Sequence, residues 1–248
     1  MIYFSIFLFG TILGSFLNVV IYRVPREESI VFPSSYCPFF RRPVRWSDNI
    51  PLLGYGLLRG RCRFCRKRIP FRYPLVEFLN GIGYVYLTFR FGLTGSCLVY
   101  SLFYSALLVI TFIDLSHQIV PDRITLPGMA IGLVVSSTLL QTGFLNAVIG
   151  LFLGGGLFYL VALLSKGGMG GGDIKLIAMI GAFAGWKAVL LTIFISAFTG
   201  SLLGIGLMLF MGKTRKYPVP FGPFLALGAM VSILWGNPIL TWYTHLGM

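Results

Sequence analysis

Long, nearly unbroken apolar stretches alternate along this chain with short clusters of Arg, Lys, Gly and Pro. The stretches lie at about residues 2–22, 75–90, 97–114, 124–141, 144–164, 174–186, 188–211 and 221–243, and they read as membrane-spanning helices. The pattern therefore predicts an all-α polytopic membrane protein with about eight transmembrane helices and one cytosolic loop domain. The 75–90 stretch is short and contains Glu77, and residues 174–211 also parse as one long broken helix. Three regions follow: a first transmembrane helix at 1–22, a basic cysteine-containing loop at 23–74, and a membrane core of about seven helices at 75–248.

Composition supports the membrane class. The 248 residues are 56% hydrophobic and 11% charged, with a mean hydropathy of +0.86, which leaves too little polar surface for a soluble domain. The first stretch is too long, and lacks the cleavage-site pattern, to read as a removable signal peptide. Basic residues set the orientation, because Lys and Arg near span ends stay on the cytosolic side. Twelve of the twenty lie between Arg23 and Arg72. With both termini outside, that loop faces the cytosol together with Arg123, Lys166, Lys175, Lys213, Arg215 and Lys216, and only Arg90 and Lys187 remain outside. The net charge of +13 is then explained by topology and by contact with anionic membrane lipid, and calls for no nucleic acid.

Only seven acidic residues occur, and two of them stand at the ends of apolar stretches on the inferred cytosolic face. Asp114 closes LFYSALLVITFID, and Asp173 closes the glycine run KGGMGGGD. Carboxylates at the edge of a bilayer are costly and mark function by default. A pair suits hydrolysis: one ionised carboxylate takes a proton from water while a neutral partner polarises the scissile carbonyl, so the two titrate as a unit. Glycines at 167, 168, 170, 171 and 172 clear side chains ahead of Asp173 and let an extended substrate backbone approach. Structural readings stand beside these: Asp173 as the N-cap of a helix starting at Ile174, and Asp114 paired with Arg123. Asp122, after Pro121, reads as an N-cap, and His117 as a surface histidine that could tune Asp114. Glu77, at the start of a span within RYPLVE, reads as a partner for nearby arginines, and its role is left open.

The basic loop carries Cys62-Arg-Phe-Cys65 and, upstream, Cys37-Pro-Phe-Phe40. A cytosolic C-x-x-C pair suits a metal or a redox role better than a structural disulfide. Cys37, Cys62 and Cys65 could hold zinc as three of four tetrahedral ligands; no histidine lies in this loop, so Asp48 or a water would complete the set. The alternative is a loop that folds without metal. Cys97 reads as a small packing residue.

The stretches GSFLNVVIYRVPRE (14–27), NIPLLGYGLLRGRCRFC (49–65), RYPLVEFLNG (72–81), Asp114 followed by IVPDRITLPG (119–128), GMGGGDIKL (168–176) and VPFGPFLALGA (219–229) resemble the bacterial type IV prepilin peptidases. The resemblance runs along nearly the whole chain in the family's order. It implies an inner-membrane aspartic protease of the GxGD type with Asp114 and Asp173 as catalytic residues. It also implies that the core at 75–248 carries cleavage, that the loop at 23–74 carries the methyltransferase and zinc region, and that the partners are prepilins or type II secretion pseudopilins. Many members then methylate the new N-terminal amine with S-adenosylmethionine. Phe40 stands where the family has the second cysteine of its first C-x-x-C, which bears on zinc and methylation but not on the aspartates. The alternatives are a protease without methyltransferase activity, an ion-coupled transporter using the carboxylates as a relay, and a non-enzymatic assembly factor. No internal repeat supports the transporter.

Overall fold

A computed structural model describes residues 1–37, 42–165, 169–211 and 219–245. The helices are α1 (Ile2–Arg23), α2 (Leu53–Leu57), α3 (Arg72–Phe91), α4 (Gly95–His117), α5 (Asp122–Thr138), α6 (Phe144–Leu164), α7 (Gly171–Met211) and α8 (Gly222–His245). No strand occurs among the described residues; extended pairing is confined to isolated bridges between Tyr36 and Pro43 and between Arg61 and Arg68. The fold is all-α, as the apolar pattern predicts, and each predicted stretch lies on a helix.

Five helical segments of the described residues are long and apolar enough to cross a membrane: Ile2–Arg26, Gly95–His117, Phe144–Leu164, Gly171–Phe210 and Gly222–Ile239. At 1.5 Å per residue, the 40 residues of Gly171–Phe210 would reach about 60 Å, twice a hydrocarbon core of roughly 30 Å. The break that this length calls for is present. Gly185 has φ 79° and ψ 175°, a conformation reserved for glycine, and it divides α7 into two helical runs. Both parses of residues 174–211 are thus partly right, since one element contains two helices.

The chain divides into two compact units, Met1–Val109 and Ile110–Met248. In the first, α1 lies against α3 at backbone distance. A Cβ on Gly10 would sit 2.8 Å from Gly81 Cα, and one on Gly14 would sit 2.7 Å from Glu77 Cα. Small residues permit such approach where apolar burial gives no drive for association. Polar side chains then tie the helices: Asn80 Nδ2 donates to the Gly10 carbonyl at 2.7 Å, and Ser105 Oγ donates to Asn80 Oδ1 at 2.8 Å. After α1, Arg23 is 4% exposed and donates to the carbonyls of Ser29, Pro33 and Ser34, which pins the start of the basic loop. The loop is pinned again at Leu52, whose N–H donates to Glu77 Oε2 at 2.8 Å.

In the second unit α7 is the central helix, packed by α5, α6 and α8. A Cβ on Gly150 of α6 would sit 2.7 Å from the Gly181 carbonyl, and one on Gly132 of α5 would sit 2.8 Å from the Phe183 ring. Against α8, the Thr192 and Ser232 hydroxyls lie 3.1 Å apart and Ser196 Oγ donates to the Phe224 carbonyl at 3.0 Å. These contacts fix where α8 begins, and its first residue belongs to the site.

Candidate active site

Asp114 sits in the last turn of α4, on the same side as the fully buried Ile110 and Ile113, and is only 5% exposed. A carboxylate covered to that extent needs a donor. The donor comes from the start of α8, where a helix leaves its first N–H groups without intrahelical partners. Gly222 N–H donates to Asp114 Oδ2 at 2.9 Å. Position 222 has room for no side chain, because a Cβ there would lie 2.7 Å from that same oxygen.

Asp173 lies in the first turn of α7, half-buried, and its N–H donates to the Gly170 carbonyl at 3.1 Å. Its neighbour Gly172 packs against Val120, six positions after Asp114, so the start of α7 lies beside the segment that follows Asp114. The two carboxylates, 59 positions apart in the sequence, both lie within the second unit and are candidates for one site there. The glycines before Asp173 differ in surroundings. A Cβ on Gly172 would meet Val120 Cβ at 2.8 Å, so this glycine lets the start of α7 close onto the turn that follows Asp114. A Cβ on Gly170 would have its nearest neighbour at 3.7 Å, the Asp173 Oδ2 atom, and Gly171 faces open space. Gly167 and Gly168 lie outside the described residues.

Asp122 is not an N-cap. Pro121 occupies that position, and the Asp122 carboxylate instead accepts from Lys175 Nζ at 2.7 and 2.8 Å, joining α5 to α7 beside the site. The pair is solvent-exposed and contributes about 0–1 kcal/mol. The bond recorded for Asp114 comes from Gly222 and not from Arg123. His117 is exposed at the end of α4. Gly222 and Val120 were missed by sequence reasoning. Gly222 carried one signal, a glycine opening a helix within the motif VPFGPF.

The cysteines form a second cluster, in the first unit. Cys37 Sγ lies 3.7 Å from Cys65 Sγ and 3.8 Å from Cys62 Sγ, and all three are free thiols within 4.8 Å of one another. Three sulfurs bound to one zinc at about 2.3 Å with tetrahedral angles are roughly 3.8 Å apart, so the donor set fits the ion. Burial pushes the Cys62 thiol up, but the N–H groups of Cys65 and Phe64 and the neighbouring thiols outweigh it and hold Cys62 below its ordinary value. At Cys65 the N–H of Lys67 lowers the thiol, but burial and the neighbouring Cys62 and Cys37 outweigh it and hold it above, so the cluster as it stands favours one thiolate and not three. The expected fourth ligand is another matter. Both Asp48 oxygens are held by Arg63 at 2.6 to 3.2 Å, and this ion pair keeps the carboxyl below the usual range. Phe40 lies outside the described residues.

Comparison with known proteins matches the bacterial peptidase A24 N-terminal domain to residues 8–91 and the type IV leader peptidase family to residues 101–205. Proteins named prepilin leader peptidase/N-methyltransferase are similar along nearly their whole length. That of Aeromonas hydrophila is 36% identical, covering 98% of this chain and 94% of the relative. That of Legionella pneumophila is 36% identical over 97% and 94%, and that of Pseudomonas aeruginosa is 34% identical over 95% and 91%. No solved structure matches. Matches to both domains in order, together with full-length relatives above one-third identity, mean that this chain belongs to the type IV leader peptidase family.

Proposed function

We propose that this chain is a membrane aspartic endopeptidase that cuts the leader from prepilin or pseudopilin substrates at the cytosolic membrane face. It then methylates the new N-terminal amine. One observation supports the cleavage reading: the start of α7, which bears Asp173, closes on Val120 just after Asp114, whose Oδ2 is held by Gly222. One carboxylate accepts a proton from water as the water oxygen attacks the scissile carbonyl. The other, protonated, donates to the carbonyl oxygen; as the C–N bond breaks, the first carboxyl passes the proton taken from water to the leaving amine, and the second recovers a proton from the gem-diol hydroxyl. With Oδ2 committed to Gly222, Oδ1 is the Asp114 atom available for this exchange. The open flank at Gly171 is where the substrate backbone lies.

The topology of this proposal has eight crossings, with α3 and α5 included and α7 counted on each side of Gly185. Both termini are outside the inner membrane, and the positive-inside bias supports that orientation. A substrate whose leader is basic and whose mature part opens as an apolar helix presents its cleavage point at such a boundary. The methylation reading is supported by the names of the relatives. S-adenosylmethionine supplies an electrophilic methyl group for that step. In the loop at 23–74, Cys37, Cys62 and Cys65 would hold zinc with water as the fourth ligand, since Asp48 is engaged by Arg63.

Three measurements follow. Co-expression with a prepilin should yield a shortened pilin whose N-terminus is heavier by one methyl group; a processed but unmethylated amine would leave a protease alone. Purified protein should contain one zinc per chain, and Cys62→Ser should lose it; zinc retained at full stoichiometry would contradict the three-thiolate site. Gly171→Val should leave the melting temperature unchanged, because the position faces open space, yet raise KM by about 10-fold, roughly 1.4 kcal/mol. An unchanged KM would remove the substrate from that flank.

A further inference from the structure

Helix α2, five residues long and part of the basic loop, is held level with the helices it adjoins instead of beyond their ends. Leu52, its N-cap, donates its N–H to Glu77 Oε2 at 2.8 Å. Glu77 stands in the second turn of α3, about 7.5 Å along the axis from Arg72. The same level on α1 falls inside the apolar segment Ile2–Arg26: a Cβ on Gly14 would sit 2.7 Å from Glu77 Cα, and Asn18 Nδ2 donates to the Tyr73 carbonyl at 3.0 Å. A glutamate side chain reaches back over only part of that distance, so the start of α2 lies within the headgroup layer of a bilayer that α3 crosses.

Two leucines face outward at that depth. Leu53 and Leu57 are four positions apart, hence on one side of α2, and are 64% and 80% exposed. The opposite side carries Tyr55, whose ring meets that of Phe71 edge-on at 6.4 Å and holds α2 to the start of α3. Just beyond Leu57, Arg59 and Arg61 are exposed, while the acidic side chains of this region, Asp48 and Glu77, are bonded to Arg63 and Leu52. Five residues are also too few for a helix to persist in water without packing on something. An apolar side at headgroup depth, flanked by arginines, is complementary to an anionic leaflet: acyl chains take the leucines and phosphates take the guanidinium groups. We propose that Leu53, Leu57, Arg59 and Arg61 form an interfacial anchor that docks the basic loop on anionic phospholipid of the cytosolic leaflet. The anchor rests on the topology proposed above, in which α3 is a crossing and the loop is inside.

The test places an indole at the contact. Full-length Leu57→Trp is reconstituted at one chain per nanodisc, so that no second copy can cover α2, and its spectrum is compared with that of the wild type in phosphatidylglycerol-rich discs with and without brominated acyl chains. Emission added by residue 57 should be blue-shifted and should lose about half its intensity to the brominated chains, as a side chain seated at the acyl boundary would. The loss should be smaller in phosphatidylcholine alone, and smaller again when Leu53→Asp is added at its exposed position. Phe78→Trp, on the exposed side of α3, reports the crossing itself. Quenching at 78 without quenching at 57 would overturn the anchor and leave the topology standing, and quenching at neither would overturn both. Equal quenching at 57 in the two lipids would overturn the anionic partner. An unquenched indole at 57 that shifts to the blue only when a prepilin is added would assign this face to substrate and overturn the lipid.

Discussion

Asn at position 114 or at position 173 is expected to reduce leader cleavage by roughly 10²–10⁴-fold, the range supplied by a positioned general acid or base. The substitution keeps side-chain size and removes only the ability to exchange a proton. At 114 the amide oxygen can still accept from Gly222 N–H, which is 2.9 Å from Oδ2, so the start of α8 stays anchored and the loss is chemical. Asp173 stands inside the first turn of α7, which begins at Gly171, and the hydrogen bond of this turn runs from its backbone N–H to Gly170, which the substitution leaves in place. Both variants should therefore melt as the wild type does. Cleavage by the purified variants on a prepilin, read beside their melting curves, checks this. A variant that melts normally and still cuts at the wild-type rate would remove that aspartate from the reaction.

Gly222→Ala should be nearly as damaging, although residue 222 takes no part in proton transfer. The added methyl would lie 2.7 Å from Asp114 Oδ2 and 3.2 Å from its Cγ, inside contact distance, so either the carboxylate or the start of α8 must move. A displacement of about 1 Å at a reacting group costs on the order of 10²-fold in rate. Alanine is otherwise welcome at the start of a helix, so the fold should persist. Gly172→Ala should share the defect for a related reason, since its Cβ would press on Val120 at 2.8 Å and lift Asp173 from its place. Gly170→Ala serves as the contrast, with its nearest neighbour at an ordinary 3.7 Å. Initial cleavage rates across the three alanine variants test this ordering, and equal rates would mean that the carboxylates tolerate displacement.

Legibility in the sequence followed the range of the interaction. Helices were readable because apolar stretches are local, and even the break in α7 was foreshadowed by a region too long to be one span. Asp114 and Asp173 were readable because a carboxylate at the end of an apolar stretch stands out by itself. Gly222 was not, since its purpose is a hydrogen bond to a residue 108 positions earlier, visible only once α7 and α8 have packed. Asp122 was misread for the same reason: the local context after Pro121 suggests a cap, whereas its partner, Lys175, lies 53 positions on. Asp48 offered itself as a metal ligand by type and proximity, but Arg63, next to Cys62, had already claimed both of its oxygens. Charge-pair choice of this kind is settled by tertiary geometry.

That Asp114 and Asp173 work as one unit is tested most directly by a double-mutant cycle. Single-turnover cleavage of a synthetic prepilin would be measured in lipid nanodiscs for Asp114→Asn, Asp173→Asn and the double variant. Groups that share one proton-transfer task are strongly non-additive. The double variant should cut no more slowly than the slower single variant. Losses that multiply would mean two independent contributions and would contradict the dyad.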